Sequence, residues 1–97
     1  MMKTYQTQIG DQVLSFHYLF EYQEVEGPAG GMTVKATGRN TGGTVIPCRE
    51  DDDFSRLCAQ NGPQAVENFK THLRAQFPRK RIDFQITTVP CGGYGWQ

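Results

Sequence analysis

The sequence predicts an α+β single two-layer domain, in which two helices lie on one face of an antiparallel four- to five-stranded sheet. Apolar residues alternate over residues 14–22, recur at helical spacing over 54–77, and alternate again over 79–89. These patterns give the predicted order β-β-β-β-α-α-β. The chain of 97 residues has room for one domain. We expect it to span residues 1–90, followed by a tail of glycines and aromatic residues over 91–97.

The first two predicted strands form a hairpin. Lys3 to Ile9 alternates, and Gly10-Asp11 supplies a two-residue turn that accepts positive φ. This turn predicts that Tyr5 lies opposite Phe16. The even positions of the second strand then form an apolar face, which consists of Leu14, Phe16, Tyr18, Phe20 and Tyr22. We expect this strand to be central, with its aromatic face under the helices and its polar face open.

Two more strands are predicted before the helices. Met32 to Arg39 alternates and predicts a third strand, and residues 40–43 have the composition of a turn. The short run at residues 44–47 predicts a fourth strand. Because Pro47 cannot donate a ladder hydrogen bond, this strand should lie at an edge or end there.

Two helices and a last strand complete the predicted fold. The aspartates at residues 51–53 are N-cap candidates for a short helix that ends at Asn61-Gly62. Pro63 suits the first turn of a longer helix, which Pro78 stops. The apolar face of that helix consists of Val66, Phe69, Leu73 and Phe77. Residues 79–89 then return to strand periodicity and close the sheet.

Charge and hydropathy exclude several classes of protein. Ten Lys and Arg residues balance ten Asp and Glu residues, so the chain lacks the broad positive potential of a dedicated nucleic-acid binder. The chain has neither an apolar run of about 18 residues nor the shorter apolar stretch of a secretory signal. We therefore expect a cytoplasmic protein that does not contact membranes.

No arrangement of cysteine, histidine or glycine forms a recognised chemical motif. Cys48, Cys58 and Cys91 are odd in number and lack the close pairing of zinc ligands, which is typical of reduced thiols. Gly27, Gly30, Gly31, Gly38, Gly42 and Gly43 lie between predicted strands and do not form a phosphate-binding loop. We expect no cofactor, no metal and no enzymatic activity. A thiol enzyme centred on Cys48 or Cys91 is the third alternative, with His17 or His72 as the base.

Two groups of residues are candidates for binding. A basic cluster at the seam between the second helix and the last strand could contact phosphates or could be a solvated group that protects a sheet edge. Its members are Lys70, Arg74, Arg79, Lys80 and Arg81. In the tail, Tyr94 and Trp96 could anchor a partner or pack on the domain itself. We slightly favour a mobile arm because Pro90 ends the strand before it.

The leading hypothesis is a small non-enzymatic binding protein that occupies a surface of a larger protein or ribonucleoprotein complex. Its size and balanced charge are similar in kind to accessory proteins of phages and mobile elements, including anti-CRISPR inhibitors of host defence complexes. No motif supports that likeness, and it assigns no residue. The alternative is a nucleic-acid-associated module that uses the basic cluster. Steep dependence of binding on salt would distinguish this alternative.

Overall fold

The computed structural model describes residues 1–47 and 53–96 and confirms a small α+β domain with a four-stranded sheet. The sheet has the order β1-β2-β3-β4, and one helix lies on one of its faces. The elements are β1 (Lys3–Gly10), β2 (Leu14–Glu26), a 3-10 turn (Pro28–Gly30), β3 (Gly31–Val45), α1 (Phe54–Gln76) and β4 (Arg81–Thr88). Within the described ranges, no helix combines the length and apolar character needed to span a membrane.

The sheet is mixed, so the prediction of an antiparallel sheet is wrong for the last strand. β1, β2 and β3 are antiparallel neighbours, whereas β4 runs parallel to β3, with Gly31 opposite Arg81 and Gly38 opposite Thr88. The 23-residue helix α1 provides the crossover that a parallel pair requires. At 1.5 Å per residue it spans about 35 Å and returns the chain to the start of β3. Alternation identifies a strand but does not determine its direction.

In the β1–β2 hairpin, each residue of β1 pairs with a residue of β2 that lies four positions later in the chain than the two-residue turn predicts. Tyr5 lies opposite Phe20 instead of Phe16. Asp11 widens the turn, because its Oδ1 accepts hydrogen bonds from the backbone N–H groups two and three residues ahead, at 2.9 and 3.0 Å. A shift by an even number of residues keeps every side chain on its predicted face. The predicted core face of β2 is therefore correct although the predicted register is wrong.

The predicted turn at residues 40–43 lies inside the long strand β3. The predicted third and fourth strands are therefore parts of one element, Gly31–Val45. A register shift between His17 and Tyr18 of β2 accommodates the polar and glycine-rich stretch. At this irregularity, Asn40 Nδ2 donates a hydrogen bond to the carbonyl of His17 at 3.0 Å. Pairing with β2 thus overrides the local preference for a turn.

A single helix, α1, replaces the two that the sequence predicts. Its N-cap is Asp53, whose carboxylate accepts a hydrogen bond from the backbone N–H of Arg56 at 3.2 Å. The N-cap prediction is confirmed at Asp53, and residues 51–52 lie outside the described residues. The helix continues through Asn61-Gly62-Pro63, although an interior proline removes one helical hydrogen bond. Apolar residues from both halves of the helix pack into one core, so the local break signals do not end the helix.

The core lies between α1 and the aromatic face of β2. Phe16 and Phe20 are completely buried, which confirms their predicted position under the helical layer. Phe20 stacks on Phe69 of α1, with ring centroids 4.6 Å apart and planes 3° from parallel. The hydroxyl of Tyr18 donates a hydrogen bond to the carbonyl of Cys58 at 2.5 Å. Both apolar packing and polar contacts therefore hold the helix on the central strand.

The C-terminal tail packs into this core, so our preference for a mobile arm is wrong. Trp96 is only 4% exposed, and its indole Nε1 donates a hydrogen bond to the carbonyl of Val89 at 2.7 Å. Glycines make room for its ring, since a Cβ at Gly38 would lie 2.9 Å from the indole and one at Gly62 only 2.4 Å from the Trp96 Cβ. Trp96 of the tail is therefore part of the core. The predicted boundary between a domain over residues 1–90 and a tail over residues 91–97 stays a prediction.

Phe20→Ala is expected to lower the free energy of unfolding by about 3–5 kcal/mol, because it leaves a cavity under the Phe69 ring. Val25→Ala is the control at an exposed position of the same strand and should change stability by less than about 0.5 kcal/mol. Urea denaturation followed by circular dichroism measures both. Equal denaturation midpoints for the two variants would contradict the assigned core face.

Gly62→Ala is expected to destabilise the fold by about 1–3 kcal/mol, although alanine ordinarily strengthens a helix by about 1 kcal/mol. The added methyl group would overlap the side chain of Trp96. Gly95→Ala is the control, since a Cβ there meets nothing within 4 Å. Thermal unfolding and acrylamide quenching of Trp96 test this. A Gly62→Ala variant as stable as the parent, with equally protected fluorescence, would show that the indole is not packed there.

Candidate functional site

The sheet face opposite α1 is exposed in the described part of the chain, and we call it the open sheet face. Its side chains alternate with the core residues along each strand, as the period of two requires. The strand registers place these side chains side by side, from β1 across to β4. Its members are Thr4, Gln6, Gln8, His17, Leu19, Glu21, Gln23, Val25, Thr33, Lys35, Thr37, Arg39, Arg81, Asp83, Gln85 and Thr87.

Amide and hydroxyl groups dominate the open sheet face, and its charges nearly balance. The carboxylates of Glu21 and Asp83 stand beside the cations of Lys35, Arg39 and Arg81, which leaves an excess of one cation. Glu21 and Arg39 form an ion pair at 3.0 Å. Its aliphatic members are Leu19, which is half-buried, and Val25, which is exposed. The face therefore offers many hydrogen-bond donors and acceptors, and its excess of one cation is small beside the several phosphate contacts of a nucleic-acid binder. Among its described members it has no Phe, Tyr or Trp on which a base could stack.

Two grooves cross the open sheet face. The larger, about 470 Å³, runs over β2, β3 and β4. Its polar lining consists of Glu21, Gln23, Lys35, Thr37, Gln85 and Thr87. The second, about 400 Å³, lies at the register shift of β2, where Gln6, Gln8, His17 and Thr41 line it. Side chains of this kind favour a hydrogen-bonded macromolecular contact over the mostly apolar enclosure typical of small-molecule sites.

The structure brings the predicted basic cluster together only in part. On the helix side of β4, Lys70 and Arg74 lie over the ring of Phe84, at 6.0 and 5.4 Å from its centroid. Lys70 also lies 3.8 Å from the carboxylate of Glu67. These two cations therefore cover apolar surface at the sheet edge, and the carboxylate of Glu67 partly neutralises the charge of Lys70.

The other three members of the basic cluster lie near the 3-10 turn. Lys80 pairs with Glu26, so its charge is also offset. Arg79 and Arg81 line a groove of about 290 Å³ together with residues 28–31. Among the described residues, neither of these two arginines forms an ion pair with a carboxylate. The five predicted cations therefore do not converge at one place, and only Arg79 and Arg81 share this groove.

The two predicted tail anchors have different environments. Tyr94 is 43% exposed and can contact a partner, whereas Trp96 is buried in the core. The tail turns back on itself, because Cys91 and Tyr94 exchange backbone hydrogen bonds at 2.8 and 3.0 Å. Only Tyr94 is therefore available as a surface anchor.

The same turn brings two cysteines into contact. The Sγ atoms of Cys58 and Cys91 lie 2.7 Å apart, and both are free thiols. Burial, followed by the contact with Cys58, raises the pKa of Cys91 to about 12. This thiol is therefore protonated at neutral pH, which disfavours Cys91 as the nucleophile of a thiol enzyme. Cys48, the other candidate nucleophile, lies outside the described residues.

The two histidines lie on opposite sides of the sheet. His17 belongs to the open sheet face, whereas His72 of α1 stacks on Tyr5 with ring centroids 4.6 Å apart. Among residues 1–47 and 53–96, no three His, Cys, Asp or Glu side chains are placed to hold a metal ion. The predicted alternation already indicated the polar face of β2. The contact between Cys58 and Cys91 had no sequence signal, because 33 residues separate them.

Comparison with protein-family models, curated proteins and solved structures gives no match.

Proposed function

We propose that this chain is a non-enzymatic binding protein that occupies a surface of a larger protein complex through the open sheet face. The observation that carries the proposal is the arrangement of layers. One helix covers one side of a four-stranded sheet, and the other side presents a continuous array of amides, hydroxyls and charges of both signs. Such an array complements the polar surface of another protein, where donors, acceptors and both signs of charge are mixed.

The size of the open sheet face supports this use. Four strands spaced by about 4.8 Å, with about eight residues at 3.3 Å each, cover roughly 500 Å² in projection. The accessible surface of protruding side chains exceeds this projected area. The face is therefore comparable with one side of a standard protein interface, which buries about 800 Å² per partner.

The rigidity of the open sheet face also supports the proposal. The side chains of the face stand on strands whose opposite side is the aromatic core, so the backbone beneath them is already ordered. Binding then costs little backbone entropy, and the free energy of the new contacts is retained as affinity. We propose a multisubunit complex as the partner, in the manner of small inhibitors that phages direct against host defence complexes. The small net charge of the face, an excess of one cation, favours contact with a protein subunit over contact with RNA.

Lys35→Glu, in the larger groove, is expected to weaken binding of the partner at least tenfold, because reversing a central interface charge leaves its counterpart unpaired. Arg56→Glu is the matched control, since it makes the same change of charge at an exposed position of α1. Affinity capture from cells of the source organism with both baits identifies a protein that Arg56→Glu retains and Lys35→Glu loses. Calorimetry with that protein, once purified, then measures the dissociation constants.

Two outcomes would contradict this proposal. One is a protein that the parent and the Lys35→Glu variant capture equally while the Arg56→Glu variant loses it, which would place the interface on α1. The other is capture that nuclease treatment abolishes, which would indicate nucleic acid as the ligand.

A second candidate function is that of a nucleic-acid-associated module, and the groove that Arg79 and Arg81 share favours it. With about two phosphate contacts to a single strand, affinity should fall roughly 7-fold between about 50 and 200 mM salt. Arg79→Gln combined with Arg81→Gln should abolish binding of a labelled oligonucleotide, while Arg56→Gln should retain it. Fluorescence anisotropy measures both. Absence of binding by the parent at the lower salt concentration would exclude this candidate.

A further inference from the structure

Two cysteines that are distant in sequence share one site at the start of the helix. Cys58 lies near the beginning of α1 and is completely buried, and Cys91 follows β4 and is half-buried. Their Sγ atoms are 2.7 Å apart, although the residues are 33 positions apart in the chain. A disulfide bond requires an Sγ separation of about 2.05 Å, so the two sulfur atoms already lie close to bonding distance.

The backbone around Cys91 holds its side chain against α1. The reciprocal hydrogen bonds between Cys91 and Tyr94 close a turn in which Gly92 and Gly93 have φ values of 56° and 97°. Beyond the turn, the buried Trp96 fixes the end of the tail, with its carbonyl accepting a hydrogen bond from the Thr88 hydroxyl. The turn with Tyr94 and the buried Trp96 therefore fix the backbone position of Cys91, and this position keeps its thiol in contact with that of Cys58.

We propose that Cys58 and Cys91 form an intramolecular disulfide by exchange with a small-molecule disulfide such as oxidised glutathione, which locks the C-terminal tail to α1. Cys91 reacts first because it is the more exposed of the two. Its thiolate attacks one glutathione sulfur, forms a mixed disulfide and releases one reduced glutathione. Cys58 then attacks Sγ of Cys91 and releases the second.

The exchange balances in atoms and electrons. The two protein thiols lose two electrons and two protons, and one oxidised glutathione accepts both to become two reduced glutathione molecules. The raised pKa of Cys91 keeps the thiolate fraction low at neutral pH, so formation of the bond is slow. A pair of this kind is suited to a lasting lock and not to rapid sensing of oxidants. The proposal is independent of the binding function of the open sheet face.

The expected consequence is a more stable oxidised form. The bond would close a loop that contains most of α1 and all of β4. It would lower the conformational entropy of the unfolded chain by an amount that grows with the logarithm of the loop length. For a loop of this size in a small domain, the melting temperature should rise by on the order of 10 °C.

The test uses the full chain with Cys48→Ser, which leaves the two cysteines in question. The protein is incubated to equilibrium with either oxidised or reduced glutathione, blocked with N-ethylmaleimide and digested with trypsin without reduction. Trypsin separates all three cysteines of the parent chain into the peptides 40–49, 57–70 and 82–97. Oxidation should join peptides 57–70 and 82–97, with the loss of two hydrogen atoms, and should raise the melting temperature. Cys91→Ser in the same background is the control and should show neither change.

The parent chain is then mapped in the same way to include Cys48. The expected product joins the same two peptides and leaves Cys48 alkylated. The proposal is overturned if the main product links Cys48 to either partner, if the link is intermolecular, or if both thiols remain alkylated after incubation with oxidised glutathione. A joined pair without any rise in melting temperature would overturn the assigned lock on the tail.

Discussion

The position of the helix on the sheet depends on one side chain, Phe69 of α1. Its ring stacks on Phe20 of β2 and contacts Tyr5 of β1 and Phe84 of β4. A single residue thus joins the helix to the central strand and to both edge strands. Because aromatic rings bury large areas and pack in preferred relative orientations, this cluster determines which face of the sheet is covered. The exposure of the opposite face follows, and the proposed binding surface depends on it.

The tail completes the end of the core that α1 and the sheet leave open. Its indole occupies the space that Gly38 and Gly62 provide, on β3 and α1 respectively. This packing explains why a glycine is tolerated inside a long helix, where it is otherwise unfavourable. It also positions Cys91 beside Cys58, so the contact that we propose as a disulfide site is a consequence of how the core is closed. The open sheet face and the thiol pair therefore occupy separate regions and can act independently.

Local patterns predicted some of these features and missed others for identifiable reasons. The alternation from Leu14 to Tyr22 correctly indicated which side of β2 is buried, because the period of two depends only on the local chain. The turn at Gly10-Asp11 was predicted too short, since the Asp11 carboxylate also binds backbone N–H groups beyond it. Asn61-Gly62-Pro63 is typical of a helix end, yet the helix continues there. In the basic cluster, composition could not show that Glu26 and Glu67 offset two of the lysines.

The sequence by itself determined that the chain forms a small α+β domain, where most of its strands lie, and which residues form the apolar and polar faces of the sheet. These properties follow from residue spacing and from the geometry of a single strand or helix. The tertiary structure alone decided the direction of β4, the joining of the two predicted helices, the burial of Trp96 and the contact between Cys58 and Cys91. Each of these depends on which distant segments share one core, because the free energy of packing outweighs the local preferences for a turn, a helix end or a free tail.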